Sequence, residues 1–284
     1  VESQRHLGQV IALYNPARHR PLASRLGHDL RAAALCFRSW ALWLLGFPET
    51  GLADANQALK EAHETGEAGT LMFTLTISTV TQIFCGNYAA AITSSDELFA
   101  MADAKDAALW KAWGTIHRGR ALALNGKAAE AVHIISSGMS ASRSTGAGYL
   151  LSLSLSDLAW AYAELNQFDD AWRCIDEALT AVETTKERWF EGEVKRVAGE
   201  IALRSREPDE LKAQAYFERA LAVARQQQAK SWELRAAMSM ARLWRNQGEP
   251  VAAHDLLAPV YAWFTEGFDT LDLKKARALL NDLA

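Results

Sequence analysis

The sequence lacks most of the features that mark a disulfide-stapled, membrane-spanning or catalytic protein. It has three cysteines in 284 residues, Cys36, Cys85 and Cys174, far apart and each inside an apolar run. An odd count without framework spacing excludes a disulfide scaffold and predicts reduced core thiols, as in a cytosolic protein. No apolar run reaches the roughly 20 residues a membrane span needs, and no signal-peptide pattern is present. Neither sign of charge dominates: 30 basic and 34 acidic residues are intermixed, for a net charge of −4. That balance excludes a nucleic-acid or anionic-membrane surface as the main partner. The small basic cluster Arg18, His19, Arg20 and Arg25 reads as a solvated loop.

The inventory of catalytic and metal motifs is equally thin. There is no phosphate-binding GxxxxGK loop, and no GxGxxG follows a strand, because no stretch reads as a strand. Gly146-Ala147-Gly148 is a helix-to-helix turn. The seven histidines, at 6, 19, 28, 63, 117, 133 and 254, show no metal-ligand spacing, and His63-Glu64 lacks the second histidine of a zinc helix. Asp103, Asp106, Glu187 and Glu191 are carboxylates on polar stretches, with nothing pairing them into an acid and a base. The segment therefore reads as non-enzymatic, with no cofactor and no metal.

What the sequence does contain is a repeat. In Leu44–Leu59, LLGFPETGLADANQAL, an apolar run stops at Gly46 and a second amphipathic run opens after Pro48. A glycine where one helix ends and a proline where the next begins make the elbow of a helical hairpin. Elbows recur at equal steps, at Gly86, Gly126 and Asn166, and again at Gly248 after a step of double length with a two-residue insertion. The elbow missing from that last step lies at Ser205–Leu211. A fixed period in this range means a stacked repeat array. Such an array grows by adding units, so a chain of this length need not form two domains.

The periodicity predicts a single domain over 1–284. Residues 1–15 carry Leu7, Val10, Ile11 and Tyr14 on one helical face and read as the second half of a severed repeat. The chain opens at Val1 in mid-helix, which reads as a fragment of something longer. Six hairpins follow over 29–265: Asp29–Leu45 with Pro48–His63, Ala68–Cys85 with Tyr88–Met101, Ala107–Leu124 with Ala128–Ser142, Gly148–Leu165 with Phe168–Thr184, Lys186–Arg204 with Pro208–Gln226, and Lys230–Asn246 with Pro250–Phe264. A capping helix over 270–283 closes the array. Ala91, Ala131, Ala171, Ala213 and Ala253 occupy one position of the second helices, with Gly51 in the first hairpin. Ala58, Ala178 and Ala220 recur two turns on, where Gly138, Leu98 and Val260 stand in the other units. Small side chains there let paired helices approach closely. The pattern resembles the tetratricopeptide repeat, whose unit is about 34 residues; here each helix is about one turn longer. The expected fold is all-α, a right-handed superhelical solenoid of such hairpins with a 40-residue period.

In such arrays the first helices line the concave side, so residues one period apart should form rows along a groove. One row is Trp40, Val80, Arg120, Trp160, then Glu200 or Ala202, then Arg242. A second is Trp43, Ile83, Ala123, Ala163 and Arg245, and a third is Ala33, Phe73, Trp113 and Leu153. Ten tryptophans is high for this length. The expected groove residues are Trp40, Trp43, Phe73, Trp113, Arg120, Trp160, Arg242 and Arg245, since tryptophan and arginine dominate binding hot spots. The alternative is that these rings pack between long helices.

Ala112–Leu122 (AWGTIHRGRAL), Thr185–Glu193 (TKERWFEGE), Leu234–Trp244 (LRAAMSMARLW) and above all Leu256–Leu273 (LLAPVYAWFTEGFDTLDL), together with Tyr14–Arg20 and Trp40–Pro48, resemble the C-terminal repeat region of a bacterial signalling family. In that family an adenylate or guanylate cyclase domain, or a DNA-binding domain, precedes a P-loop ATPase and a tetratricopeptide array. The resemblance is closest to the cyclase-linked members. It implies a non-catalytic, cytoplasmic regulatory scaffold, with cyclase and ATPase chemistry in an upstream part. The expected partner is a protein or peptide segment, including the parent chain's own N-terminal domains, and an end-to-end dimer is expected through the first helix. Two other readings stay open: a stand-alone peptide-docking module or the repeat domain of an ATPase-type transcriptional regulator, and an enzyme or small-ligand sensor hidden in the groove.

Overall fold

The computed structural model describes residues 2–284, and among these residues it holds helices and no strand. The chain opens with α1 (Glu2–Leu13) and two short turns of helix, α2 (Pro16–His19) and α3 (Ala23–Leu26). Then come α4 (Leu30–Leu44) with α5 (Pro48–Thr65), α6 (Ala68–Phe84) with α7 (Tyr88–Ala104), and α8 (Ala108–Leu124) with α9 (Ala128–Ser144). After them lie α10 (Leu151–Glu164) with α11 (Phe168–Thr185), α12 (Glu191–Arg204) with α13 (Glu210–Gln226), α14 (Lys230–Asn246) with α15 (Pro250–Tyr261), and last α16 (Leu271–Leu283).

The turns have a rhythm of their own. Backbone φ is positive at Gly46, Gly66, Gly86, Asp106, Gly126, Gly146, Asn166 and Lys186, evenly spaced at half the hairpin period. Turns within and between hairpins thus share one device: a left-handed residue just past the helix end, where returning N–H groups satisfy the last carbonyls. Gly86 N–H bonds Ile83 O at 3.0 Å and Asn87 N–H bonds Gln82 O at 2.8 Å. The rhythm breaks after α12, where Ser205 has φ −56° and Asp209 caps α13 through Lys212 N–H. Helix starts also shift. Leu150, buried and left-handed, delays α10 to Leu151, and a 3₁₀ turn over Arg188–Phe190 delays α12 to Glu191.

Two layers result. The first helices, α4 to α14, stack on one another inside, and their partners, α5 to α15, lie outside. Fourteen of the seventeen residues of α6 are buried, against five of seventeen in α7. The small positions do the work their spacing predicts. Ala91, Ala131, Ala171, Ala213 and Ala253 have no exposed surface. A Cβ on Gly51 would stand 2.7 Å from Ser39 O, and one on Gly138 would stand 2.8 Å from Ile116 Cγ1. The apolar face of α1 is covered in part by α4: Leu7, Ile11 and Tyr14 are half-buried, while Val10 and Leu13 stay exposed.

The inner layer does not stay open. Helix α14 returns to meet α4, and the seam is aromatic. The Trp43 ring lies 4.5 Å from Trp232 and 4.5 Å from Phe84, and Trp40 stacks on Trp189 at 5.4 Å. Phe190 stands edge-on to Trp232 at 5.1 Å. The Ser231 hydroxyl donates to Trp43 O, and Arg235 donates to Phe84 O at 3.1 Å. Six rings from α4, α6, the Arg188–Phe190 turn and α14 so close the inner layer.

Candidate functional site

Beside that aromatic plug the concave side keeps a cavity of about 350 Å³. It is lined from α7 by Tyr88, from α10 by Asp157 and Trp160, from α12 by Glu193, Arg196, Glu200 and Arg204, from α14 by Arg235 and Arg242, and from α16 by Leu271, Asp272 and Lys275. Five cationic side chains converge on four carboxylates, a small local excess of positive charge in a chain whose net charge is −4.

The carboxylates are withdrawn and consumed. Glu193 accepts two bonds from Arg196, at 2.7 and 2.9 Å, and one from Arg235 at 3.2 Å. Glu200 accepts from Ser239 at 2.6 Å and from Arg242 at 2.8 Å. Asp272 accepts from Arg235 Nε at 2.7 Å, and Asp157 from Arg120 Nε at 2.6 Å. Burial pushes the Glu193 and Glu200 carboxyls up, but the guanidiniums around them outweigh it and hold both below the usual range. For Asp157 burial wins over the single Arg120 contact, and its carboxyl is raised.

Arg196 and Arg235 are largely withdrawn into those same pairs; the other three cations behave differently. Arg204 lies over the Trp160 ring at 4.2 Å while pairing with Glu164, and the side chains of Arg204 and Arg242 remain 40% exposed against 12% for Glu200. Lys275 is exposed at the rim and has no ion-pair partner among the described residues; desolvation lowers its ammonium. Burial raises the Tyr88 phenol at the same wall to about 12, so it stays a neutral hydrogen-bonding group. The surface offered to a ligand is positive, with one indole face, although the wall behind it is nearly neutral.

Of the residues expected in the groove, Trp160 and Arg242 line this cavity. Arg120 stands one layer behind, fully buried, bonded to Asp157 and to His117 Nδ1 at 3.2 Å. Trp40 and Trp43 are buried in the seam at 6% and 2% exposure, which corrects their reading as open anchors: the returning α14 and the Arg188–Phe190 turn cover them. Phe73 and Trp113 lie outside this cavity, in two separate sets of ring contacts. Phe73 stacks on His28 at 4.2 Å and meets Phe37 edge-on, while Trp113, also buried, stacks on His117 and faces Tyr149. Arg245 points outward to Asp282 at 3.6 Å.

The sequence reading missed Glu193, Arg196, Arg235, Asp272 and Lys275. Extending the row Ala33, Phe73, Trp113, Leu153 by one more period reaches Glu193, and a further period with the two-residue insertion reaches Arg235. Charges at the inward positions of an inner helix are the signal that could have found them. Of the carboxylates on polar stretches, Glu187 accepts from Leu150 N–H at 3.2 Å and Glu191 pairs with Lys195 at 3.1 Å. No group of acidic, histidine or cysteine side chains with metal-site geometry occurs among the described residues, and no helix is long and apolar enough to cross a membrane.

Fold and site together define an all-helical, tetratricopeptide-like repeat protein with a charged internal cavity. Solved Rap proteins share that architecture. The apo form of RapI matches with a TM-score of 0.61 and 12% identity, over 99% of this chain and 100% of that one. A Rap protein complexed with competence and sporulation factor matches with a TM-score of 0.59 and 11% identity, over 89% of this chain and 74% of that one. At such identity the likeness is one of fold. No family model matches the sequence, and no curated protein matches it.

Proposed function

We propose that this chain is a non-catalytic, cytoplasmic regulatory scaffold that binds a segment of another protein in its concave cavity. The observation that carries the reading is the separation of charge: four carboxylates withdrawn into ion pairs, with Arg204, Arg242 and Lys275 standing forward around Trp160. A segment bearing an acidic side chain or a chain terminus meets those cations through charge-assisted hydrogen bonds, and Trp160 supplies the buried ring area typical of an anchor pocket. The Rap protein with competence and sporulation factor supports an effector-binding role for this architecture. The resemblance of the 256–273 stretch to cyclase-linked repeat regions supports a place beside a nucleotide cyclase and a P-loop ATPase, whose domains would receive the bound state.

The test is capture of partners from the source cell with the wild type and with Arg242→Glu/Lys275→Glu. Arg242 also pairs with the buried Glu200 at 2.8 Å, so circular dichroism must first show that the variant keeps its helix content. Loss of a captured protein by tenfold or more supports the assignment; retention of every partner removes it. Sedimentation of the unliganded chain examines self-association through Val10 and Leu13 of α1.

A further inference from the structure

The stretch WFTEGFDT, residues 263–270, joins α15 to α16 and takes no part in any hairpin. It lies across the first elbow, near the opposite end of the chain. Helix α5 begins there without a side-chain cap, since its N-cap residue is Phe47. Glu266 supplies the missing acceptor: one carboxylate oxygen takes Thr50 N–H and the other Thr50 Oγ1, both at 2.7 Å. The carboxylate also sits at the positive end of the α5 dipole. Glu49 returns the contact by accepting Gly267 N–H at 3.2 Å, and Trp263 Nε1 donates to Leu45 O at 3.3 Å.

Three glycines make the approach feasible. A Cβ on Gly267 would fall 2.4 Å from Pro48 Cγ, one on Gly86 would fall 2.5 Å from Leu271 Cβ, and one on Gly46 would crowd Trp263 at 3.1 Å. The segment leads directly into Leu271, Asp272 and Lys275, which form one wall of the cavity. Its hydrogen bonds to the elbow lie largely at the surface, while Phe264 and Gly267 are buried; the seam beneath is aromatic and buried.

We propose that residues 263–267 form a clasp that holds the superhelix closed, and that its release swings α16 from the cavity and uncovers Trp40 and Trp43. The clasp stands on this geometry alone; its consequence for partner capture rests on the binding reading above. Two variants release it by different means: Glu266→Ala removes the cap, and Gly267→Ala drives a methyl into Pro48. Hydrogen exchange followed by mass spectrometry then reads peptides over 40–46 and 229–236, which flank the seam and do not touch Glu266. Exchange at least tenfold faster in both variants, with helix content by circular dichroism unchanged, is the expected result; unchanged exchange in both overturns the clasp.

Should either variant lose helicity, the opposite experiment decides: oxidised Thr50→Cys/Glu266→Cys ties the clasp shut and should slow exchange at 229–236. No slowing overturns the proposal. Capture by the oxidised form separates the two claims. If exchange slows and capture is unchanged, the clasp stands and partners bind the closed state.

Discussion

At the scale of single residues, the buried polar groups behind the cavity set the sharpest constraint. Arg120 has almost no exposed side chain, and its partners Asp157 and His117 are buried with it. Truncating Arg120 leaves a carboxylate uncompensated, a change that typically costs about 3–5 kcal/mol, so it is unsuitable for testing binding. His117 is buried neutral. Its Nδ1 accepts from Arg120, and burial followed by the Arg120 charge holds its pKa well below 6.5. The unfolded chain therefore takes up a proton on acidification that the folded chain refuses. Stability contributed by this group is complete above pH 6.5 and is lost as pH falls below it. His28, lowered chiefly by burial, has the same sign. His63 has the opposite one: burial lowers it, but the Glu97 bond, the Leu59 carbonyl and the Glu97 charge together raise it. Urea titrations at pH 6.5 and 5.5 on wild type and His117→Asn isolate the effect. The wild type is expected to lose about 1 kcal/mol more than the variant over that unit, and parallel losses would refute it.

At the scale of elements, stability rests on close approach between paired helices. Ala171 on α11 has no exposed surface. Ala171→Phe overpacks the contact with α10, at a cost of about 1–3 kcal/mol. Because repeat units lean on their neighbours, exchange should quicken across 128–226 and not in α11 alone. A purely local response would count against stacking. The hairpins were legible in the sequence because glycine at a left-handed turn and alanine at a close contact are local steric demands. The delayed starts of α10 and α12 were not, since Leu150 takes a left-handed conformation that its own sequence disfavours and that its buried place in the core maintains.

At the scale of the whole molecule, closure changes how stress travels. In an open solenoid a substitution in α14 leaves α4 untouched, since units communicate only with neighbours. Here Trp232 on α14, 1% exposed, packs against Trp43 on α4 and Phe84 on α6. Trp232→Ala should cost about 3–5 kcal/mol and loosen residues 30–44 as well as α14. Unchanged exchange over 30–44 would show that the seam contributes little. The same closure explains why Trp40 and Trp43, on the inward rows where the spacing put them, are core, whereas Trp160 and Arg242 on the same rows face a cavity.

The sequence by itself determined the period, the helices, the elbows and the rows, because each depends on residues no more than a few turns apart or on repetition at a fixed step. It could not determine how far the superhelix curves. That depends on small rotations summed over six hairpins, and on whether the ends meet. Only the tertiary structure decided that they do. It placed Glu266 on Thr50 and Trp232 on Trp43, and divided one predicted groove into an aromatic core and a charged cavity.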